Sequence, residues 1–164
     1  MNQCAKVLGA LLALVLLGVS CAPAGEDRVL PDSNLELLDG GDYALRQTGQ
    51  ARALNLWGTW CAPCRAELPA FEDVASRVQG VEIIGVNTGD KADAARELVD
   101  ELDLSFRQIF DPDATVQSSL RITGMPATIF VDEQGQIVQI HSGELTAPEL
   151  EELLTDLLGA SFDG

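Results

Sequence analysis

The chain has 164 residues, enough for one domain plus a targeting segment, and 46% of them are apolar, so a core can form without disulfide staples. Lys6 is the sole charge in the first 25 positions; the remainder carries nine basic against 26 acidic residues, a net of −17. That balance argues against nucleic acid as a partner, because phosphate binding needs basic patches, and it reads most simply as a well-solvated acidic surface.

The first 20 residues read as a removable export signal. Lys6 supplies a positive start, and residues 7–19 form an apolar run broken only by Gly9 and Gly18. Thirteen residues are too few for a membrane span, which needs about 20. Two processing sites compete behind the run. LLGVSC resembles the lipobox of bacterial lipoproteins, with Ser20 before a Cys21 that would carry lipid, although Gly18 stands where that pattern has Leu. Ala22-Pro23-Ala24 offers an ordinary A-x-A cleavage site, which would discard Cys21. The lipoprotein route is preferred, giving a signal at 1–20, a linker at 21–28 and a domain at 29–164. Either route places the domain outside the cytoplasm, anchored to the cell membrane through Cys21 or free as a periplasmic or secreted protein. Cys4 is lost with the signal, so Cys61 and Cys64 are the cysteines of the folded domain.

Residues 35–38 and 43–45 flank Asp39-Gly40-Gly41-Asp42, a hairpin signal because glycine tolerates positive φ. Residues 53–57 (ALNLW) read as a buried strand leading into the cysteine motif. Leu68, Phe71, Ala75 and Val78 share a face, which predicts a helix from about Cys61 to about Val78, kinked at Pro69. A strand at 81–86 follows, then a turn at 87–90. The next helix carries Ala94, Ala95, Leu98, Val99 and Leu102 on one stripe. A short strand near 106–110 comes next, and Asp111-Pro112-Asp113 opens a brief helix toward Leu120. Strands at 127–131 and 136–140 are joined by a hairpin turn at 132–135. The last helix begins at Thr146, with Glu149 completing a capping box, Pro148 in its first turn, and Leu150, Leu153, Leu154, Leu157 and Leu158 inward. This order predicts an α/β protein with a mixed sheet and helices on both faces. The cysteine pair falls at the end of the first crossover strand, where open α/β folds place their sites.

The pair lies in WGTWCAPCRAELP, residues 57–69. A structural zinc site needs four Cys or His ligands and a catalytic one about three, whereas two Cys and His141 are on offer, so no metal is expected. A two-residue loop makes a poor staple, because closing it removes little unfolded-chain entropy. Redox exchange fits better. At a helix start the peptide dipoles favour a thiolate on Cys61, and Cys64, one turn deeper, is placed to resolve the mixed disulfide that Cys61 forms with a substrate.

Trp60-Cys61-Ala62-Pro63-Cys64, Pro69 eight residues beyond Cys61, and Gly124-Met125-Pro126 before a strand resemble the thioredoxin fold. NLWGTWCAPCRAELP followed by GMPATIFVDEQGQI is similar to the exported TlpA/ResA/DsbE-like thiol–disulfide oxidoreductases, over roughly residues 29–158. The resemblance implies a central mixed β-sheet flanked by helices, with an N-terminal β-hairpin extension. It also implies a cis proline at Pro126, facing the cysteines and presenting the Met125 backbone to an extended substrate strand; the competing reading is a trans edge-strand proline. Thioredoxin carries a buried Asp six residues before its first Cys as a proton relay, and Asn55 occupies that place here. Glu67 matches the active-site glutamate of the ResA-like group, on the same helix face as Cys64; the competing reading is an exposed helix glutamate paired with Arg65 or with nothing. Trp57 is expected in the core, and Trp60 beside the disulfide, lining the docking surface.

Direction follows from the same residues. Ala62-Pro63 adds no cation to stabilise a thiolate, and a nearby Glu67 carboxylate disfavours one, so a reducing couple is expected. The resemblance implies protein thiol and disulfide substrates, apocytochrome c cysteines among them, re-reduction by a membrane electron-donor protein, and no cofactor. The alternatives are an oxidase or isomerase of the same fold, or a redox-inactive binding module. A peroxidase fits less well, since Gly58 rather than Thr stands three residues before Cys61.

Overall fold

The structure is a computed structural model that describes residues 28–163. The export signal, both processing sites, Cys4 and Cys21 lie outside the described residues. The elements in chain order are β1 (Asn34–Leu37), β2 (Asp42–Ala44), β3 (Ala51–Trp57), α1 (Ala62–Ala75), β4 (Val78–Gln79), β5 (Val81–Thr88), α2 (Ala92–Glu101), β6 (Arg107–Asp111), α3 (Thr115–Ser119), β7 (Ala127–Val131), β8 (Ile137–Ser142), α4 (Ala147–Leu158) and β9 (Ser161–Phe162).

Seven strands form one mixed sheet in the order β2-β1-β6-β5-β3-β7-β8. Strands β3, β5 and β6 run parallel, while β1, β2, β7 and β8 join antiparallel. The chain steps from β3 to β5 to β6 on one side, then crosses to the other side of β3 for β7. A reversal of this kind opens a crevice at the carboxyl end of β3. The N-terminal hairpin turns through Gly40 and Gly41, at φ +100° and +95°, and extends the sheet through β6.

Helices cover the two faces unevenly. Leu68, Phe71 and Val74 of α1, Ala95 and Leu98 of α2, and Leu150 and Leu154 of α4 share one core with Trp57 and the two cysteines. The opposite core is covered by short α3 through Val116, together with Leu30, Tyr43 and Leu45 from the N-terminal segment. The cause is handedness: β3–α1–β5 and β5–α2–β6 move the same way across the sheet, so right-handed crossovers put both helices on one side.

Several boundaries differ from the sequence reading by one to three residues, three of them on the elements that carry the site. Strand β3 begins two residues early because Arg52 is only 1% exposed. Its guanidinium donates to Tyr43 Oη, Leu45 O and Gln47 O, which lets a charge sit inside a strand. Strand β5 runs on to Thr88, past the expected turn start. Helix α1 contains Pro69 and stops at Ala75, because the chain then pairs β4 with β9 in a two-stranded ribbon. Helix α4 starts as expected, with Glu149 accepting from the Thr146 N–H at 2.9 Å and its hydroxyl at 2.6 Å. No helix among the described residues is long and apolar enough to cross a membrane.

Candidate active site

Cys61 is the N-cap of α1 and Cys64 lies in its first turn, the two joined as a disulfide with Cα atoms 5.3 Å apart. The Cys61 N–H donates to Gly58 O at 3.1 Å, closing a turn, and the Cys64 N–H donates to Cys61 Sγ at 3.3 Å. Cys61 is 5% exposed and Cys64 wholly buried, so Cys61 carries the more accessible of the two sulfurs. Pro63 fits the first turn, where the amide it lacks has no helical acceptor. The free amides at this helix end favour negative charge on Cys61.

The loop before Cys61 is held from the far side of β3. Asp90, after β5, accepts from the Thr59 N–H at 2.7 Å, the Thr59 hydroxyl at 3.0 Å, Asn87 Nδ2 at 3.1 Å and the Lys91 N–H at 2.9 Å. Burial alone would raise its pKa, but these hydrogen bonds, the Thr59 and Lys91 amides foremost, bring it below the ordinary carboxylate value. Sequence reasoning missed Asp90, whose only local signal is an acidic residue in a turn. Trp60 folds over Gly58, where a Cβ would come within 2.5 Å of the indole nitrogen, and Trp60 Nε1 donates to Thr88 O at 3.2 Å. Its anchor is thus the end of β5, and at 57% exposure it lines the surface.

Glu67 is 3% exposed and makes no pair with Arg65. Its Oε1 accepts from Asn55 Nδ2 at 2.7 Å and its Oε2 from the Leu145 N–H at 2.9 Å. Burial raises its pKa to about 7, against the opposing pull of those two hydrogen bonds, and the Glu144 charge adds to the rise. Cys64 and Glu67, three residues apart on α1, share its buried face.

The Met125–Pro126 bond is cis, and Pro126 is buried at the start of β7. Met125 packs against the core that holds both cysteines. Trp57 is fully buried, as expected, and its Nε1 donates to Gln108 Oε1 at 2.9 Å. That contact requires Gly85, where a Cβ would stand 1.9 Å from Gln108 Oε1. His141, on β8, is half-buried. No group of three or more His, Cys, Asp or Glu side chains able to hold a metal occurs among the described residues.

A thioredoxin fold with a Cys-x-x-Cys disulfide capping its first long helix defines a thiol–disulfide oxidoreductase, and the binding-module reading falls. The model of the AhpC/TSA family matches residues 27–140, and thiol-disulfide oxidoreductase ResA of Halalkalibacterium halodurans is 38% identical over 138 residues, covering 82% of this chain and 77% of the relative. Among solved structures, dsbF of MTB superposes with a TM-score of 0.70 at 29% identity, covering 78% of this chain and 98% of that one. A secreted thiol-disulfide isomerase from Corynebacterium glutamicum gives 0.68 at 27% identity, covering 84% and 93%. The chain belongs to the AhpC/TSA family and, within it, to the ResA/DsbE-type thiol–disulfide oxidoreductases.

Proposed function

We propose that the protein is an extracytoplasmic reductase of protein disulfides. The observation that carries this reading is Glu67, a buried carboxyl group with its pKa raised to about 7, on the Cys64 face of α1. Near neutral pH it can take up or release a proton there, and its charge opposes the build-up of thiolate that a strongly oxidising couple needs.

In the reduced enzyme the Cys61 thiolate attacks one sulfur of a substrate disulfide and expels the other as a thiolate, leaving a mixed disulfide. Glu67 then accepts the Cys64 proton, and the Cys64 sulfur attacks Cys61 Sγ. The substrate leaves with both sulfurs reduced, and the enzyme's two electrons have passed to it. Met125 and Pro126 offer backbone to an extended substrate, Trp60 supplies apolar docking surface, Pro63 keeps the first turn of α1 in place, and Asn55 holds the Glu67 carboxylate. Cys21 carries the lipid anchor behind a signal at 1–20, with 21–28 as tether and the domain from 29 to 164. The Corynebacterium glutamicum neighbour, described as secreted, supports the location. Apocytochrome c cysteines are the proposed substrate class, and a membrane protein returns the electrons.

Equilibration with a glutathione or dithiothreitol buffer tests the direction. A potential near the about −270 mV of thioredoxin supports it, and one near the about −120 mV of the strong oxidases sinks it. Cys64→Ala expressed in the full chain should trap partners on Cys61 as mixed disulfides, and mass spectrometry of the same material should find lipid on Cys21.

A further inference from the structure

Beneath Glu67 runs a row of polar side chains of which the exchange chemistry uses only Asn55. Asn55 on β3 faces Thr128 on β7, and Thr128 faces His141 on β8, each pair directly opposed in an antiparallel ladder. Opposed residues project to the same side, so all three lie on the face that α1 and α4 cover. Asn55 and Thr128 are fully buried. Asn55 uses its amide N–H on Glu67, yet its Oδ1 accepts nothing, and Thr128 Oγ1 beside it has no partner either.

The two orphans are complementary. An amide oxygen only accepts, and a hydroxyl always has a proton to give. Cβ atoms of directly opposed strand residues lie about 4.5–5.5 Å apart, so a small side-chain rotation brings the two oxygens into hydrogen-bond range. Leaving both groups buried and unpaired costs more than such a rotation.

We propose that Thr128 is a positioning residue for the exchange reaction: its hydroxyl donates to Asn55 Oδ1 and thereby sets how firmly Asn55 holds the Glu67 carboxylate. Donation to the oxygen polarises the amide and strengthens its Nδ2–H as a donor, which favours the ionised form of Glu67. The inference rests on reading Glu67 as the proton acceptor for Cys64. Thr128 stands two residues after Pro126, so the same segment that receives substrate backbone bears on the acid–base group. The groups facing Glu67 are Cys64 on its own helix, Asn55 on β3, and the Leu145 N–H and the Glu144 charge before α4. His141 ends the row, with Glu149 of α4 near it.

The test is a carboxyl-carbon NMR titration of Glu67 in the oxidised protein, with urea unfolding in parallel. Thr128→Val keeps the side chain's shape and removes the hydroxyl; Thr128→Ser keeps the hydroxyl. The Glu67 midpoint should rise by about half a pH unit in Thr128→Val, rise likewise in Thr128→Ala, and stay at the wild-type value in Thr128→Ser. Thr128→Val should also be less stable than wild type. An unchanged midpoint in Thr128→Val, or a gain in its stability as expected for removing an orphaned hydroxyl, overturns the proposal. A Glu67→Gln enzyme whose turnover keeps the wild-type pH profile would instead overturn the role of Glu67, and the direct titration separates the two failures.

Discussion

Glu67 shows how one buried residue links stability to chemistry. Its pKa is about 7 in the folded protein against an ordinary 4.5, so between those values the folded state holds more proton than the unfolded chain. Stability from this group is therefore full below about pH 4.5 and is lost as pH rises through about 7. Wild-type oxidised protein should lose about 2 kcal/mol from this source between pH 5 and pH 8, allowing for solvent screening. Urea unfolding at several pH values should show that loss flattened in Glu67→Gln, and parallel slopes for the two proteins would refute it. Glu67 was visible in the sequence as a motif residue three places after Cys64. Its partners were not, because Asn55 and Leu145 lie 12 and 78 residues away in the chain. Asn55 looked only like a missing relay; in the fold its amide donates to the Glu67 carboxylate.

Among the elements, α1 carries the site at one end and is fastened at the other. Arg77, just past its last turn, reaches Asp73 on α1 and Glu151 on α4, and lies over the Phe162 ring with 5.9 Å to the centroid. The Arg77 carbonyl accepts from the Asp163 N–H, so the β4–β9 ribbon closes over the same residue. These are partly exposed contacts, and Arg77→Ala should lower stability only modestly. Hydrogen exchange should quicken at the end of α1 and in β9 while the Cys61–Cys64 region stays protected, and uniform exchange throughout would refute the fastening. None of this ribbon was legible beforehand, since a two-residue strand has no periodicity. The main strands and helices were legible to within a few residues, because their apolar spacing follows from local geometry. Trp57 was rightly placed in the core, but its lock on Gln108 over Gly85 joins three strands, and no window along the chain contains it.

The whole molecule is strongly acidic, and like charges on a compact body repel. The ion pairs among the described residues are surface pairs of modest worth, so screening should relieve more repulsion than it removes attraction. Raising sodium chloride from about 20 mM to about 300 mM should lift the Tm by about 2–5 °C; a fall would show that the ion pairs matter more. Sequence alone determined the fold class, the cysteine couple, the cis proline as a family expectation, and the caps and stripes of the helices. The α/β class, the couple, the caps and the stripes depend on residue type and short spacing, whereas the thioredoxin fold and the cis proline came through the family resemblance. Tertiary structure decided what surrounds the couple: Asp90 on the loop before Cys61, Trp60 anchored on Thr88, and Glu67 buried between Asn55 and Leu145. The physical reason is that desolvation and hydrogen bonds between distant segments tune a buried acid, and these exist only once β3, β5, α1 and the segment before α4 meet.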